Sequence, residues 1–146
     1  MCLAVDKEKT KNFWDTRGRK GKSWCWCYKV YKYRYGNLHS PLQGSYRRIY
    51  FGEIVSDRYS KVPFTDSCDT ISGVCRGIHV IYQSKCLPDY KTSFKTWDDN
   101  PVIVRVKCYK KDFVAADLNE AVFMKVHLTQ EGYRMAMRKA KKLYKE

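Results

Sequence analysis

The chain of 146 residues carries 29 Lys and Arg against 15 Asp and Glu, a formal charge of +14, with 44% apolar residues and 12 Tyr, 6 Phe and 4 Trp. That length supports one core and excludes two ordinary domains, and the apolar and aromatic content excludes disorder as the main state. No stretch approaches the run of about 18 apolar residues that a membrane span needs, so no membrane partner is expected.

Met1 to Asp6 has neither the basic start nor the apolar length of a secretory signal, so the expected location is cytoplasmic. Seven cysteines, an odd number, then read as reduced thiols and not as a disulfide framework. The spacing of Val5, Phe13 and Trp14 suits a short helix within residues 4 to 14. The segment Thr16 to Ser23 that follows, with two glycines and no apolar residue, reads as a loop or mobile basic arm. From Trp24 the period becomes two: Trp24, Trp26, Tyr28 and Val30 share one face, and Cys25, Cys27, Tyr31 and Tyr33 the other. Gly36-Asn37 and Ser40-Pro41 mark a connection to an extended segment, Tyr46 to Phe51 and Glu53 to Val55, broken at Gly52.

Residues 56 to 75 read as a long loop, and Ile78, Val80 and Tyr82 as a third strand. A polar surface segment through Asn100 is punctuated by Tyr90, Phe94 and Trp97. Val102 to Cys108, Phe113 to Ala116 and Val122 to Leu128 alternate as strands, and Asp117-Leu-Asn-Glu120 suits an antiparallel turn between the last two. A helix follows from about Gln130 to Lys145, capped by Thr129, with Tyr133, Ala136, Met137, Ala140, Leu143 and Tyr144 on its apolar stripe. The expected architecture is α+β in a single domain, 1–146. Residues 1–23 are a basic arm or short helix, 24–128 a mainly antiparallel curved sheet of about six strands, and 129–146 a C-terminal helix packed on it.

Charge concentrates at the two ends. Residues 7 to 34 hold ten bases and two acids, and residues 130 to 146 hold six and two, a distribution that implies an anionic partner. The loop Gly18-Arg-Lys-Gly21-Lys22-Ser23 ends like a phosphate-binding P-loop, but Thr16 stands where the first glycine is required and no helix follows. Cys25-x-Cys27 and Cys68-x6-Cys75 are poor zinc spacings, so no metal and no cofactor is expected. His127-Leu-Thr129 has the H-x-T form of two-histidine phosphoesterases, but its only partner, His79-Val-Ile81, lacks the hydroxyl.

Basic residues instead recur beside aromatic ones, as in Trp26-Cys-Tyr28-Lys29, Tyr31-Lys-Tyr33-Arg34, Tyr46-Arg47-Arg48 and Arg58-Tyr59. A ring can stack on a base while the cation holds a phosphate. The candidate ligand-binding residues are Arg76, Arg105, Arg47, Arg48, Tyr46, Tyr82 and His79, and the candidate phosphate contacts of the arm are Arg17, Arg19, Lys20 and Lys22. No catalytic residue is assigned.

Met1-Cys2-Leu3, Tyr28-Lys29-Val30-Tyr31, Ser40-Pro41, Arg76-Gly77-Ile78-His79-Val80 and Val102-Ile-Val104 together resemble small accessory proteins of tailed bacteriophages, over about residues 1 to 128. The resemblance implies a non-structural protein of the infected host's cytoplasm that counters host defence. One subclass, the sponge proteins that sequester cyclic or other nucleotide immune signals, is similar in size and sheet-plus-helix make-up. It assigns no ligand-binding residue here. Ser40-Pro41 and Gly77-Ile-His-Val80 are more remotely similar to the half-barrel of ADP-ribosyltransferases, whose Ser-Thr-Ser is absent and whose catalytic glutamate would have to be Glu120.

The first functional expectation is therefore a non-catalytic, homo-oligomeric protein that captures a small anionic nucleotide between two basic and aromatic surfaces. The second is a DNA- or RNA-binding protein using the basic arm and helix. An ADP-ribosyltransferase-like or phosphodiesterase enzyme and a binder of an acidic host protein stand behind them.

Overall fold

The computed structural model describes residues 3–39, 48–55, 65–68, 71–74, 77–88 and 100–144. A short strand, β1 (Leu3–Ala4), leads into a helix, α1 (Lys7–Asn12), whose first turn is capped by the Asp6 carboxylate accepting the Lys9 N–H at 2.9 Å. One 3-10 turn, Phe13–Asp15, then buries Phe13 and Trp14. The strands in chain order are β2 (Trp24–Arg34), β3 (Asn37–His39), β4 (Arg48–Ile49), β5 (Gly52–Val55), β6 (Thr65–Cys68), β7 (Ile71–Val74), β8 (Ile78–Ile81), β9 (Pro101–Tyr109), β10 (Phe113–Ala116), β11 (Glu120–Phe123) and β12 (Lys125–Leu128). The chain closes on helix α2 (Gln130–Leu143).

The main sheet is antiparallel, in the order β10-β11-β8-β2-β9-β12-β5, with β3 paired to both β2 and β4. Its centre is the β2/β9 ladder, which runs from Trp24 opposite Tyr109 to Lys32 opposite Pro101 without a break. Residues opposite each other share a face, so Cys25, Cys27, Tyr31 and Tyr33 join Val102, Val104, Val106 and Cys108 beneath α2. The other edge of β2 is divided, pairing with β8 at Tyr28 and with β3 from Lys32 to Arg34. In the interval Lys29 turns toward the core face and its ammonium donates to the His79 carbonyl at 3.0 Å, supplying a partner that the diverging strand does not.

Phe13 and Trp14 close one half of the core face. Phe13 stacks on Phe113 at 4.7 Å and meets Tyr82 edge-on at 5.1 Å, and Trp14 meets Phe113 and Phe123. Helix α2 closes the other half through Ala136 and Ala140, small enough to seat a helix directly on β9. Gly132 makes that approach possible: a Cβ there would lie 3.2 Å from the Arg105 carbonyl. Thr129 caps the helix by accepting the Gly132 N–H at 3.0 Å, and Tyr144 pins the far end by donating to the Pro101 carbonyl at 2.7 Å.

The α+β class and the C-terminal helix on the sheet match the sequence reading, whereas the strand count does not. Among the described residues the main sheet has nine strands where about six were expected, and β1, β7 and β6 form a further three-stranded sheet. Three departures give the main sheet its extra strands, and a fourth makes the second sheet. Asn37–His39, expected within a connection, is β3, and the extended segment expected to be broken at Gly52 is two strands, β4 and β5. Thr65–Cys68 and Ile71–Val74, expected within a loop, form the antiparallel pair β6/β7. Residues 122 to 128, expected as one strand, are two: the backbone bends at Met124, whose N–H donates to the Asp112 carbonyl, and β11 and β12 lie on opposite sides of β2 and β9. Apolar residues at 121 to 124 are all buried, which an alternating single strand with one wet face would not allow. The Asp117 turn does join β10 to β11, its carboxylate accepting the Asn119 and Glu120 N–H groups.

Gly77 opens β8 at φ +114, where a Cβ would collide with the Val122 side chain and stand 3.2 Å from the Phe123 carbonyl. Gly77→Ala should cost at least about 2 kcal/mol of unfolding free energy in a urea titration. An unchanged midpoint would contradict this placement of β8 against β11.

Candidate functional site

Seating the apolar stripe of α2 on the sheet turns Arg134, Arg138 and Lys141, at i, i+4 and i+7, onto one flank of the helix. Facing them is the β2/β3 hairpin. Its two loop residues, Tyr35 (φ 51) and Gly36 (φ 73), both adopt the left-handed region, the pairing that a two-residue loop needs to match the twist of its strands. Gly36, Asn37 and Arg48 form one wall, Arg134, Arg138 and Lys141 the other, and Tyr133 and Met137 the floor of an open groove of about 500 Å³. Among the described residues four cations line it and no acid does. Among the described residues none of the four makes an ion pair; Arg48 lies instead over the Tyr50 ring at 4.4 Å.

Aromatic surface continues past the groove. Tyr35 is 83% exposed beside Gly36, and Tyr50 and Phe51 are 53% and 51% exposed. Phe51 packs against Tyr133 at 5.8 Å, which joins this surface to the floor. A bulky residue held at positive φ and left in solvent is strained without a packing return.

A second basic surface lies on the sheet face opposite α2. Trp24, Trp26 and Tyr28 project there from β2, beside Tyr109, Lys107 and Arg105 of β9. The Arg105 guanidinium sits over the Trp26 ring at 4.1 Å and the Lys107 ammonium over Trp24 at 4.5 Å, while the two indoles meet edge-on at 5.5 Å. Lys22 flanks Trp24 at 5.9 Å, and Lys111 flanks Tyr109 at 5.6 Å. Arg105 thus stands in solvent on a strand, held by a ring and, among the described residues, by no carboxylate.

The remaining candidates are dispersed. Arg48 reaches the groove; Tyr46, Arg47 and Arg76 lie outside the described residues. Tyr82 faces a third place, its hydroxyl donating to the Asp117 carbonyl and its ring 5.2 Å from the Arg19 guanidinium. Arg19 also stacks over Phe13 at 4.2 Å and donates through Nε to the Phe13 carbonyl at 2.7 Å, which fastens the basic loop to the core. Around it the loop is folded into turns, with Arg19 and Lys20 donating to the Thr16 carbonyl and Lys22 to that of Arg19. Arg17, Lys20 and Lys22 remain exposed. Sequence reasoning gave Tyr133 and Met137 to the packed stripe and offered the basic helix as a whole for nucleic-acid binding, without singling out Arg134, Arg138 or Lys141. The i, i+4, i+7 stripe of cations next to Tyr133 was the available signal.

Reactive chemistry is muted. Cys25 and Cys27 are buried with their sulfurs 3.7 Å apart, and thiol hydrogen bonding followed by burial pushes the Cys25 thiol well up, so it stays protonated. Hydrogen bonding with Cys108 does the same for Cys27. Among the described residues no three His, Cys, Asp or Glu side chains are placed to hold a metal. The Thr129 hydroxyl of the H-x-T motif is occupied as the α2 cap, and His127 lies edge-on to Tyr109 at 4.8 Å. Among the described residues no helix is long and apolar enough to cross a membrane. Compared with known proteins, the chain matches no family model, no curated relative and no solved structure at a significant level.

His79 illustrates how burial acts here. Burial first, and the nearby Lys29 ammonium second, hold its ring down to about 4, while burial holds Lys29 itself down to about 8. Below pH 6.5 the unfolded chain binds a proton that folded His79 refuses, so stability falls as pH drops from about 6.5 toward 4. Between pH 7 and pH 5 this group should remove about 2 kcal/mol of unfolding free energy, and His79→Gln should flatten the profile by that amount. Equal slopes for the two proteins would show that His79 is not held neutral.

Proposed function

We propose that the protein is a non-catalytic nucleic-acid-binding protein, and that the groove beside α2 holds a single-stranded phosphodiester backbone. The observation that carries this reading is the lining of the groove, which among the described residues has four cations, no acid, and a floor of Tyr133 and Met137. Guanidinium forks suit phosphate oxygens geometrically, and an aromatic floor accepts any base by stacking. The open shape suits a chain that passes through, since both ends must leave the site. Tyr35, exposed at the tip of the β2/β3 hairpin beside the groove, supplies a further stacking surface. The charge of +14 supplies a field that steers a polyanion to the site.

A second reading rests on the groove's size. About 500 Å³ is within the range of small-ligand sites, so capture of a nucleotide signal, with a second copy of the chain closing the open side, uses the same cations. The two readings differ in their response to ligand length and salt. A passing strand gains affinity with length and loses it steeply with salt, whereas an enclosed nucleotide does neither.

In a fluorescence titration with oligo-dT, Arg134→Ala with Arg138→Ala should reduce the slope of log K against log salt by about 1.4, since each single-strand phosphate contact contributes about 0.7. An unchanged slope would remove the groove from binding. Tyr35→Asn retains the left-handed turn and should leave stability equal or higher while weakening oligo-dT about tenfold, the value of one stacked base. Undiminished affinity would show that the ring has no part in recognition.

A further inference from the structure

The groove and the Trp24/Trp26 face lie on opposite sides of one sheet. Helix α2 is applied to one side of β9, with Gly132 against the Arg105 backbone and Tyr144 bonded to Pro101. The side chains of Arg105 and Lys107 leave β9 on the other side, toward Trp26 and Trp24. A strand held in the groove therefore cannot reach the second surface without rounding an edge of the sheet.

That second surface has its own complement of charge. Lys22, Arg105, Lys107 and Lys111 stand on it, and the described acid nearest in register, Glu53 opposite His127, is already bonded to Lys125 at 3.6 Å. The ring faces are covered by the protein's own cations, so bare stacking of bases is not their role. The rings hold the cations in place, which lowers the side-chain entropy lost when an anion arrives. Phosphates are the matching ligand, and the outer plane of the Arg105 guanidinium is left to stack on a base.

We infer that this face is a second, independent site for a single-stranded polynucleotide, and that the protein bridges two strands, one on each side of the sheet. The inference rests on the nucleic-acid reading of the groove. Its occupant follows from charge: the two surfaces carry the same chemistry, and each is too far around the sheet to serve the other's strand.

The test uses the full chain and two short oligo-dT strands, one with a donor dye and one with an acceptor, which cannot pair with each other. Wild-type protein should bind two strands per chain and give energy transfer. Arg105→Glu with Lys107→Glu should abolish transfer while leaving one strand bound through the groove within a few-fold of the wild-type affinity. Arg134→Glu with Arg138→Glu should abolish transfer in the converse way. Arg105→Gln with Lys107→Gln, milder at the half-buried Lys107, keeps the test valid if the reversal unfolds the chain, and should halve the stoichiometry. Saturation at one strand without transfer would overturn bridging and leave the groove reading standing. Transfer that survives the Arg105 and Lys107 variants would also overturn it, because self-association would then be joining two grooves. No binding of either strand would overturn the groove reading and the bridging with it.

Discussion

The unbroken ladder between β2 and β9 is the constraint on which the rest depends. Nine consecutive pairs, Trp24 to Lys32 against Tyr109 to Pro101, fix a register in which each side chain has a single side of the sheet available to it. Slipping β9 by one residue would bury Arg105 and Lys107 and expose Val104 and Val106, and slipping β2 would bury Trp24 and Trp26 and expose Cys27 and Tyr31. Desolvating two cations against each other is far costlier than any local gain, so the register is strongly specified. The same alternation that makes the core thereby makes the basic face, and the helix that covers one side leaves the other to the rings and their cations.

Two departures from simple alternation show where the fold meets other demands. Lys29 occupies a core-facing position in a row of Cys, Tyr and Val, and is tolerated because its ammonium satisfies a carbonyl at the gap where β2 changes partner from β8 to β3. Tyr35 takes a backbone conformation that disfavours its own side chain and gains no burial in return. The first is a local solution to a missing hydrogen bond. The second follows from the two-residue loop, which needs left-handed backbone at both positions, and it leaves the Tyr35 ring in solvent beside the groove, within reach of the strand proposed to lie there.

Much of this was legible from residue order. The two faces of β2, the Asp117 turn and the Thr129 cap depend on period and on near neighbours, and each matches the sequence reading. The division of residues 121 to 128 was not legible, because Val122, Met124, Val126 and Leu128 alternate as one strand would, and only the Asp112 carbonyl bonded to Met124 reveals the bend. The β6/β7 pair carries too little apolar periodicity to announce itself. The groove was hidden for another reason: its walls come from Gly36, Asn37 and Arg48 and from Arg134, Arg138 and Lys141, far apart in the chain, and only the seating of Ala136 and Ala140 brings them together. Arg19 is a related case, since its rings belong to Phe13 and to Tyr82 on different elements.

The central claim is that a polyanion lies along the α2 groove, and amide chemical shifts recorded while a short oligo-dT is added test it most directly. Shifts should concentrate at Gly36, Asn37 and Arg48 and along Tyr133 to Lys141, and retreat when salt is added, as released counterions require. Shifts that leave those residues unmoved while the strand is bound would contradict the assignment of the groove. A spectrum unchanged throughout would contradict nucleic-acid binding itself.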